Sequence, residues 1–195
     1  MTKIELPMSM DELEAYFKEE LGDQVFEIKK EAIEKGVEQN EIKMMWMTVE
    51  RESFRDAVTA IAEIQIPHLS VASGSDKGEF VELIYHFNVN FSYPGEETTI
   101  NMKVHLPKDD LAIPTITDIV PGAITTEREK QEFLGVNVID IPDDRRLWLD
   151  ENYPDDKYPW RWDDEGMEKM SRHVHEDEET LEEPVAERAK EEGGD

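Results

Sequence analysis

Between residues 9 and 106 the apolar positions follow two periods, one near 3.6 residues and one near two. Leu13, Phe17 and Leu21 recur at helical spacing. Ser9, Met10, Asp11 and Glu12 precede them as a capping box, the serine hydroxyl and the glutamate carboxylate satisfying each other's backbone donors, and Gly22 supplies the stop. Phe54, Ala57, Val58, Ile61 and Ile64 give a second amphipathic helix, ended by Pro67. Between the helices, residues 25–35 and 42–49 read as two strands around the polar stretch 36–41. The run MMWMTV is apolar on both faces, which predicts a central strand.

The clearest pattern is a hairpin. Val81, Leu83, Tyr85, Phe87, Val89 and Phe91 alternate with mostly polar neighbours, and Tyr93, Pro94 and Gly95 form a turn. Ile100, Met102, Val104 and Leu106 then alternate again. The order α-β-β-α-β-β-β predicts an α+β fold, a mostly antiparallel sheet with helices packed on one face. The pattern breaks near residue 150. ENYPDDKYPWRW has aromatics and prolines without a period, so residues 151–175 read as an extended C-terminal strap. Residues 176–195 hold ten acids and two bases, a net of −8, and read as an acidic tail that is disordered or shaped by a partner.

Charge narrows the classes of function. A chain of 195 residues affords one domain with a core and something left over. Only 38% of its residues are apolar and the mean hydropathy is −0.67, so part of it faces solvent or a partner. The net charge of −27 opposes binding to a polyanion, and no basic stripe is present to release counterions. The absence of cysteine excludes disulfides, thiolate zinc sites, cysteine-held iron–sulfur clusters and a cysteine nucleophile. The first residues, MTKIELPMSM, lack a charged segment followed by an apolar core, and no run reaches the roughly 20 apolar residues of a membrane span. A soluble chain on the cytoplasmic side is expected. Abundant Glu, Lys and Arg fit a thermophile.

The candidate chemistry gathers late in the chain. Thr126, Glu127, Arg128 and Glu129 read as a second capping box, starting a helix of about two turns that Gly135 ends. Capping accounts for Glu129; Glu127 and Arg128 either form an ion pair inside the fold or reach a partner. Two carboxylates can act as acid and base, but no nucleophile, metal ligand or phosphate loop stands near them, so no catalytic residue is assigned. Arg145 and Arg146 follow Pro142, Asp143 and Asp144, and read as interface or structural arginines, or as local partners of the two aspartates. Tyr153, Tyr158, Trp160 and Trp162 sit among aspartates that disfavour base stacking, and are expected to lie across another protein. His173, His175 and Glu176 are close in sequence but do not make a preformed metal site. His68, His86 and His105 read as exposed or structural histidines, and Ser73, Gly74 and Ser75 lack the rest of a phosphate loop.

The stretch VPGAITTEREKQEFLGVNVIDIPDDRRL, residues 120–147, resembles the signature of the 30 kDa subunit of respiratory complex I, also called the C subunit of NADH-quinone oxidoreductase. The matching positions are Pro121, Gly122, Glu127, Arg128, Glu129, Glu132, Gly135, Pro142, Arg145 and Arg146. Upstream, FVELIYHF and INMKVHLPKDDLAIPTITD look like the family's paired strands and its Pro-x-x-Thr-Asp lead-in. The resemblance makes residues 1–150 a domain of this family. Ile141 replaces the family's usual histidine and Trp148 a smaller aliphatic residue. These departures are more similar to the archaeal membrane-bound energy-converting nickel–iron hydrogenases and the related sulfane sulfur reductase. What the resemblance implies is an accessory subunit, without a cofactor of its own, in the peripheral arm of a ferredoxin-linked, ion-translocating complex. It would dock on the large catalytic subunit at the cytoplasmic face of the membrane, its partners carrying iron–sulfur clusters and, in a hydrogenase, a nickel–iron centre. The expected subunit-interface residues are Glu127, Arg128, Arg145, Arg146, Tyr158, Trp160 and Trp162. A subunit of a quinone-reducing dehydrogenase is the alternative, and a stand-alone acidic binding protein a more distant one.

Overall fold

The structure, a computed structural model, describes residues 4–37, 40–163 and 165–166. The expectations for residues 176–195, for His173, His175 and Glu176, and for the strap from residue 167 onward lie outside the described residues.

Helix α1, Met10–Leu21, begins with the capping box: Ser9 N–H donates to the Glu12 carboxylate at 2.8 Å, and the Ser9 hydroxyl accepts the Glu12 N–H at 3.3 Å. Leu13, Phe17 and Leu21 are its buried face. Strand β1, Val25–Lys35, pairs antiparallel with β2, Asn40–Val49. Helix α2, Phe54–Ile64, buries Phe54, Ala57, Val58, Ala60, Ile61 and Ile64, and stops before Pro67. Strands β3, His68–Asp76, β4, Phe80–Val89, and β5, Thr98–Pro107, follow. The short strand β6, Ala112–Pro114, pairs in parallel with β7, Asn137–Ile139, and between them runs helix α3, Ala123–Leu134.

The five longer strands form one sheet in the order β1-β2-β5-β4-β3. Only the β2–β5 pair is parallel. Register puts Met45 beside Ile100, Met47 beside Met102, Tyr85 beside Met102 and Leu83 beside Val104, all buried on one face. Helices α1 and α2 contribute to the core on that face, the Phe54 ring lying 4.7 Å from Tyr85. Lys30 joins α1 to β1 by pairing with Asp11 and Glu14 at 2.5 Å each. The α+β architecture and the hairpin are those the pattern predicts. Strand β2 is central in pairing, but its apolar residues divide: Met45, Met47 and Val49 are buried, whereas Met44 and Trp46 line the more open face. Phe91 falls past the end of β4 and is exposed.

Strand β3 had no clear signature, because HLSVASGSD is built of small and polar residues. Gly74 within it serves packing rather than phosphate: a Cβ there would lie 2.6 Å from Leu134 Cδ1 of α3. Helix α3 corrects a second expectation. It starts at Ala123, a turn before Thr126, from an N-cap glycine with no side-chain cap. Thr126 is therefore inside the helix, and its hydroxyl accepts the Ala72 N–H at 2.9 Å and donates to the Ala72 carbonyl at 3.0 Å. That pair covers the outer edge of β3. Glu129, read as a capping residue, instead pairs with Lys130.

Candidate interface around α3

Helix α3 buries charged residues as well as apolar ones: Glu127, Lys130 and Glu132 join Ala123 and Leu134 inside. Buried charges persist only where they are satisfied. Glu127 is 1% exposed, and its carboxylate accepts the Thr115 hydroxyl at 2.6 Å and the Ile116 N–H at 2.9 Å. Burial raises its pKa against the lowering effect of those two bonds. Glu127 thus joins the segment after β6 to the helix. Of the residues expected at a subunit interface, it is the one whose carboxylate is buried, held by Thr115 and Ile116.

Arg128 also works within the chain. Its Nε donates to the Arg145 carbonyl at 2.8 Å, Nη2 reaches the carbonyls of Arg145 and Arg146 at 2.5 and 3.3 Å, and Nη1 pairs with Asp143 at 3.3 Å. Because α3 starts early, Arg128 stands mid-helix rather than in the first turn. Glu132 completes the series: its carboxylate accepts the N–H groups of Leu147, Trp148 and Leu149, the last two at 2.8 Å. The three signature charges thereby hold two stretches of chain, residues 115–116 and 145–149, against one helix.

The two following arginines differ. Arg146 turns back onto its own chain, donating to the Tyr153 carbonyl at 2.7 Å and to Asp155 at 2.5 Å. The Arg145 side chain is 81% exposed and grips Asp143 with Nε and Nη2 at 2.8 and 2.7 Å. That hydrogen bonding, with Arg128 nearby, holds Asp143 well below the usual carboxylate range.

The described part of the strap, residues 151–163 and 165–166, returns to the far end of α3. Gly135 ends the helix in the left-handed region at φ 73°, and a Cβ there would stand 2.7 Å from the Tyr158 ring. Trp160 stacks on Phe133 with ring centres 4.6 Å apart, and its N–H donates to the Phe133 carbonyl at 2.9 Å. The Lys130 ammonium, its pKa lowered by burial, lies 4.9 Å from the Trp160 ring centre. Beyond it, Arg161 donates to the Leu134 carbonyl at 3.3 Å, a cation at a helix C-terminus. Asp163 receives Arg161 Nη2 and Lys108 at 2.5 Å each, and Lys108 reaches the buried Asp76 at 2.8 Å. Burial opposes ionisation of Asp163, but the bonds from Lys108 and Arg161 prevail and bring its pKa down to about 2. Trp162 donates its main-chain N–H to Asp76 at 2.9 Å while its side chain is 82% exposed.

Of the expected interface residues, the structure thus gathers Glu127, Arg128, Tyr158 and Trp160 around α3. It turns Arg146 back on the chain and leaves Arg145 and Trp162 outward. The Asp76–Lys108–Arg161–Asp163 network was not anticipated; no periodicity announces it, and its one sequence sign is an arginine between two tryptophans. His86 bridges Asn101 and Ser73, and His105 lies against Phe80. Among the described residues no three His, Asp or Glu side chains are placed to hold a metal ion, and no helix is long and apolar enough to cross a membrane.

These features define a class: an α+β domain whose charged helix organises its own chain and leaves aromatic and arginine side chains at the surface. A family model described as "Respiratory-chain NADH dehydrogenase, 30 Kd subunit" matches residues 47–169. The chain belongs to this family, whose members are subunits of multisubunit oxidoreductase complexes. It is 30% identical over 132 residues to the membrane-bound hydrogenase subunit beta of Pyrococcus furiosus, covering 67% of this chain and 76% of that one. It is also 30% identical over 112 residues to NAD(P)H-quinone oxidoreductase subunit J of Prochlorococcus marinus, covering 55% and 64%. Its fold is similar to a chain in the structure of the membrane-bound sulfane sulfur reductase, an archaeal respiratory membrane complex. That match has a TM-score of 0.63 at 20% identity, over 84% of this chain and 89% of that chain.

Proposed function

We propose that the chain is a non-catalytic peripheral subunit of an energy-converting membrane oxidoreductase, docking on and stabilising the large catalytic subunit. The complex is ferredoxin-linked and ion-translocating, of the hydrogenase or sulfane sulfur reductase type, and the chain sits at its cytoplasmic face. The observation that carries this reading is how the signature's charges are used. Glu127, Arg128 and Glu132 bind main chain of the same protein, so they serve a scaffold rather than a reaction. The sequence contains no cysteine to hold an iron–sulfur cluster, and electron carriers are assigned to partner subunits. The similarity to a hydrogenase subunit beta over three-quarters of its length supports this kind of complex.

A tagged chain purified from membranes should bring down the large subunit and the iron–sulfur subunits together, and the isolated chain should hold no stoichiometric metal or flavin. A tightly held iron, nickel or zinc ion in each isolated chain would overturn the cofactor-free role. Purification without a large subunit would overturn the docking role. Similarity to the Prochlorococcus marinus quinone oxidoreductase subunit favours a quinone-reducing complex as second reading. A neighbouring gene with two Cys-x-x-Cys nickel motifs selects the hydrogenase; their loss selects another acceptor.

A further inference from the structure

Glu132 is buried, and three successive main-chain N–H groups, those of Leu147, Trp148 and Leu149, converge on its carboxylate. Arg128 holds the two preceding carbonyls. A loop tied at both ends of a five-residue stretch has little conformational freedom left to lose on binding. Yet the fold makes little use of the side chains it carries: Leu147 is 46% exposed and Trp148 is 56% exposed. Trp148 stands at a groove with Leu69, Val71, Thr125 and Glu129, and Val71 is itself exposed. A tryptophan flanked by aliphatic side chains on an ordered loop has the composition of a binding hot spot, where rigid aromatic anchors dominate the energy.

We infer that residues 145–148 form the docking loop, with Trp148 and Leu147 as its anchors in an apolar pocket of the large subunit. This rests on the docking role proposed above. The net charge of −27 opposes nucleic acid and anionic lipid alike, which leaves a protein surface as the partner. Asp144, Asp150 and Glu151 flank the loop as exposed acids, so the pocket that complements it is rimmed with basic side chains. Glu132 and Arg128 are then positioning residues. Trp148, which the signature alone marks only as a departure, makes the contact.

The test uses the full-length chain with the large subunit of its complex, co-expressed and captured on a tag, and affinities measured on the purified pair. Trp148→Ala and Leu147→Ala should each weaken binding by about tenfold or more, with unchanged thermal midpoints. Phe26→Ala, exposed on β1 at the opposite edge of the sheet, should bind as the wild type does. Glu132→Ala should weaken binding and also speed hydrogen exchange at the amides of residues 147–149, whereas Trp148→Ala should change binding alone. Wild-type binding with both loop variants within about twofold of it overturns this inference and leaves the docking role standing. A wild-type chain that does not bind the large subunit overturns the docking role, and the loop assignment with it.

Discussion

Arg128 donates through Nε to the main-chain carbonyl of Arg145 at 2.8 Å, so one arginine of the signature holds the backbone of another. Among the described residues, Arg145's own exposed side chain hydrogen-bonds to Asp143 alone. The two arginines should therefore behave differently when removed. Arg128→Ala leaves the Arg145 and Arg146 carbonyls without their charged donor, and a loss on the order of 2 kcal/mol is expected. Arg145→Ala should leave the urea midpoint where it is. Urea titration of the isolated chain compares them directly, and Arg128→Lys, which keeps the charge but loses the planar fork, should recover only part of the loss. An equal loss from Arg145→Ala would place that residue in the fold as well.

Glu127 should make the fold lose stability as pH rises. Burial raises its carboxyl pKa in the folded chain above the unfolded value. Its contribution is therefore complete at low pH and declines as pH rises through the folded-state pKa. Glu127→Gln removes that titration while keeping an acceptor for Ile116 N–H and a donor to the Thr115 hydroxyl, which can rotate to accept it. The stability of the wild type relative to Glu127→Gln should fall with rising pH. Glu127→Ala orphans both partners and should cost about 3 kcal/mol at any pH. Denaturant midpoints across a pH series decide it: a difference between wild type and Glu127→Gln that is flat, or rises with pH, would show that burial does not govern this group.

The strap should respond to acid in the opposite sense. The Asp163 pKa of about 2 lies below the ordinary 3.8. Its pairing with Lys108 and Arg161 is fully present above the ordinary value and is lost as pH falls through about 2. The strap should loosen over that interval, read as a change in tryptophan emission as Trp160 leaves Phe133. Arg161→Ala should produce the loosened emission at neutral pH. Emission that changes only together with the far-ultraviolet circular dichroism would tie the strap to global unfolding instead.

The fold was legible where burial imposes a period. Leu13, Phe17 and Leu21 mark a helix because one stripe faces the core, and Val81 to Val89 mark a strand because one face does. Strand β3 is counted in the expected order but no residues mark it, because Gly74 and its small neighbours make room for Leu134, a requirement of packing between elements distant in sequence. The start of α3 was misplaced for a related reason. Thr126, Glu127 and Glu129 have the local chemistry of a cap, but β3 and the segment after β6 take Thr126 and Glu127 first, and Lys130 takes Glu129. The same competition hid the division of labour within the signature. Sequence spacing gives which residues are charged; only the fold shows that Glu132 faces main chain while Trp148 faces out.

Gly135 joins helix termination to strap docking, and the two effects can be separated. Its φ of 73° suits glycine, and a side chain in the left-handed region costs roughly 1–2 kcal/mol. The Tyr158 ring also occupies the place a Cβ would take, at 2.7 Å, so Gly135→Ala must displace that ring as well as strain the backbone. Gly135→Ala should therefore destabilise the wild type by more than the backbone cost. In a Tyr158→Ala background only the backbone cost of roughly 1–2 kcal/mol should remain. A double-mutant cycle on urea midpoints measures the difference as a coupling energy between the two sites. Hydrogen exchange adds a local readout: the Trp160 amide, which donates to the Phe133 carbonyl, should lose protection in Gly135→Ala while amides of β4 and β5 keep theirs. If Gly135→Ala costs the same in both backgrounds, the Tyr158 ring does not pack on the helix end. The strap would then be held by Trp160 and the Arg161–Asp163 pair without it.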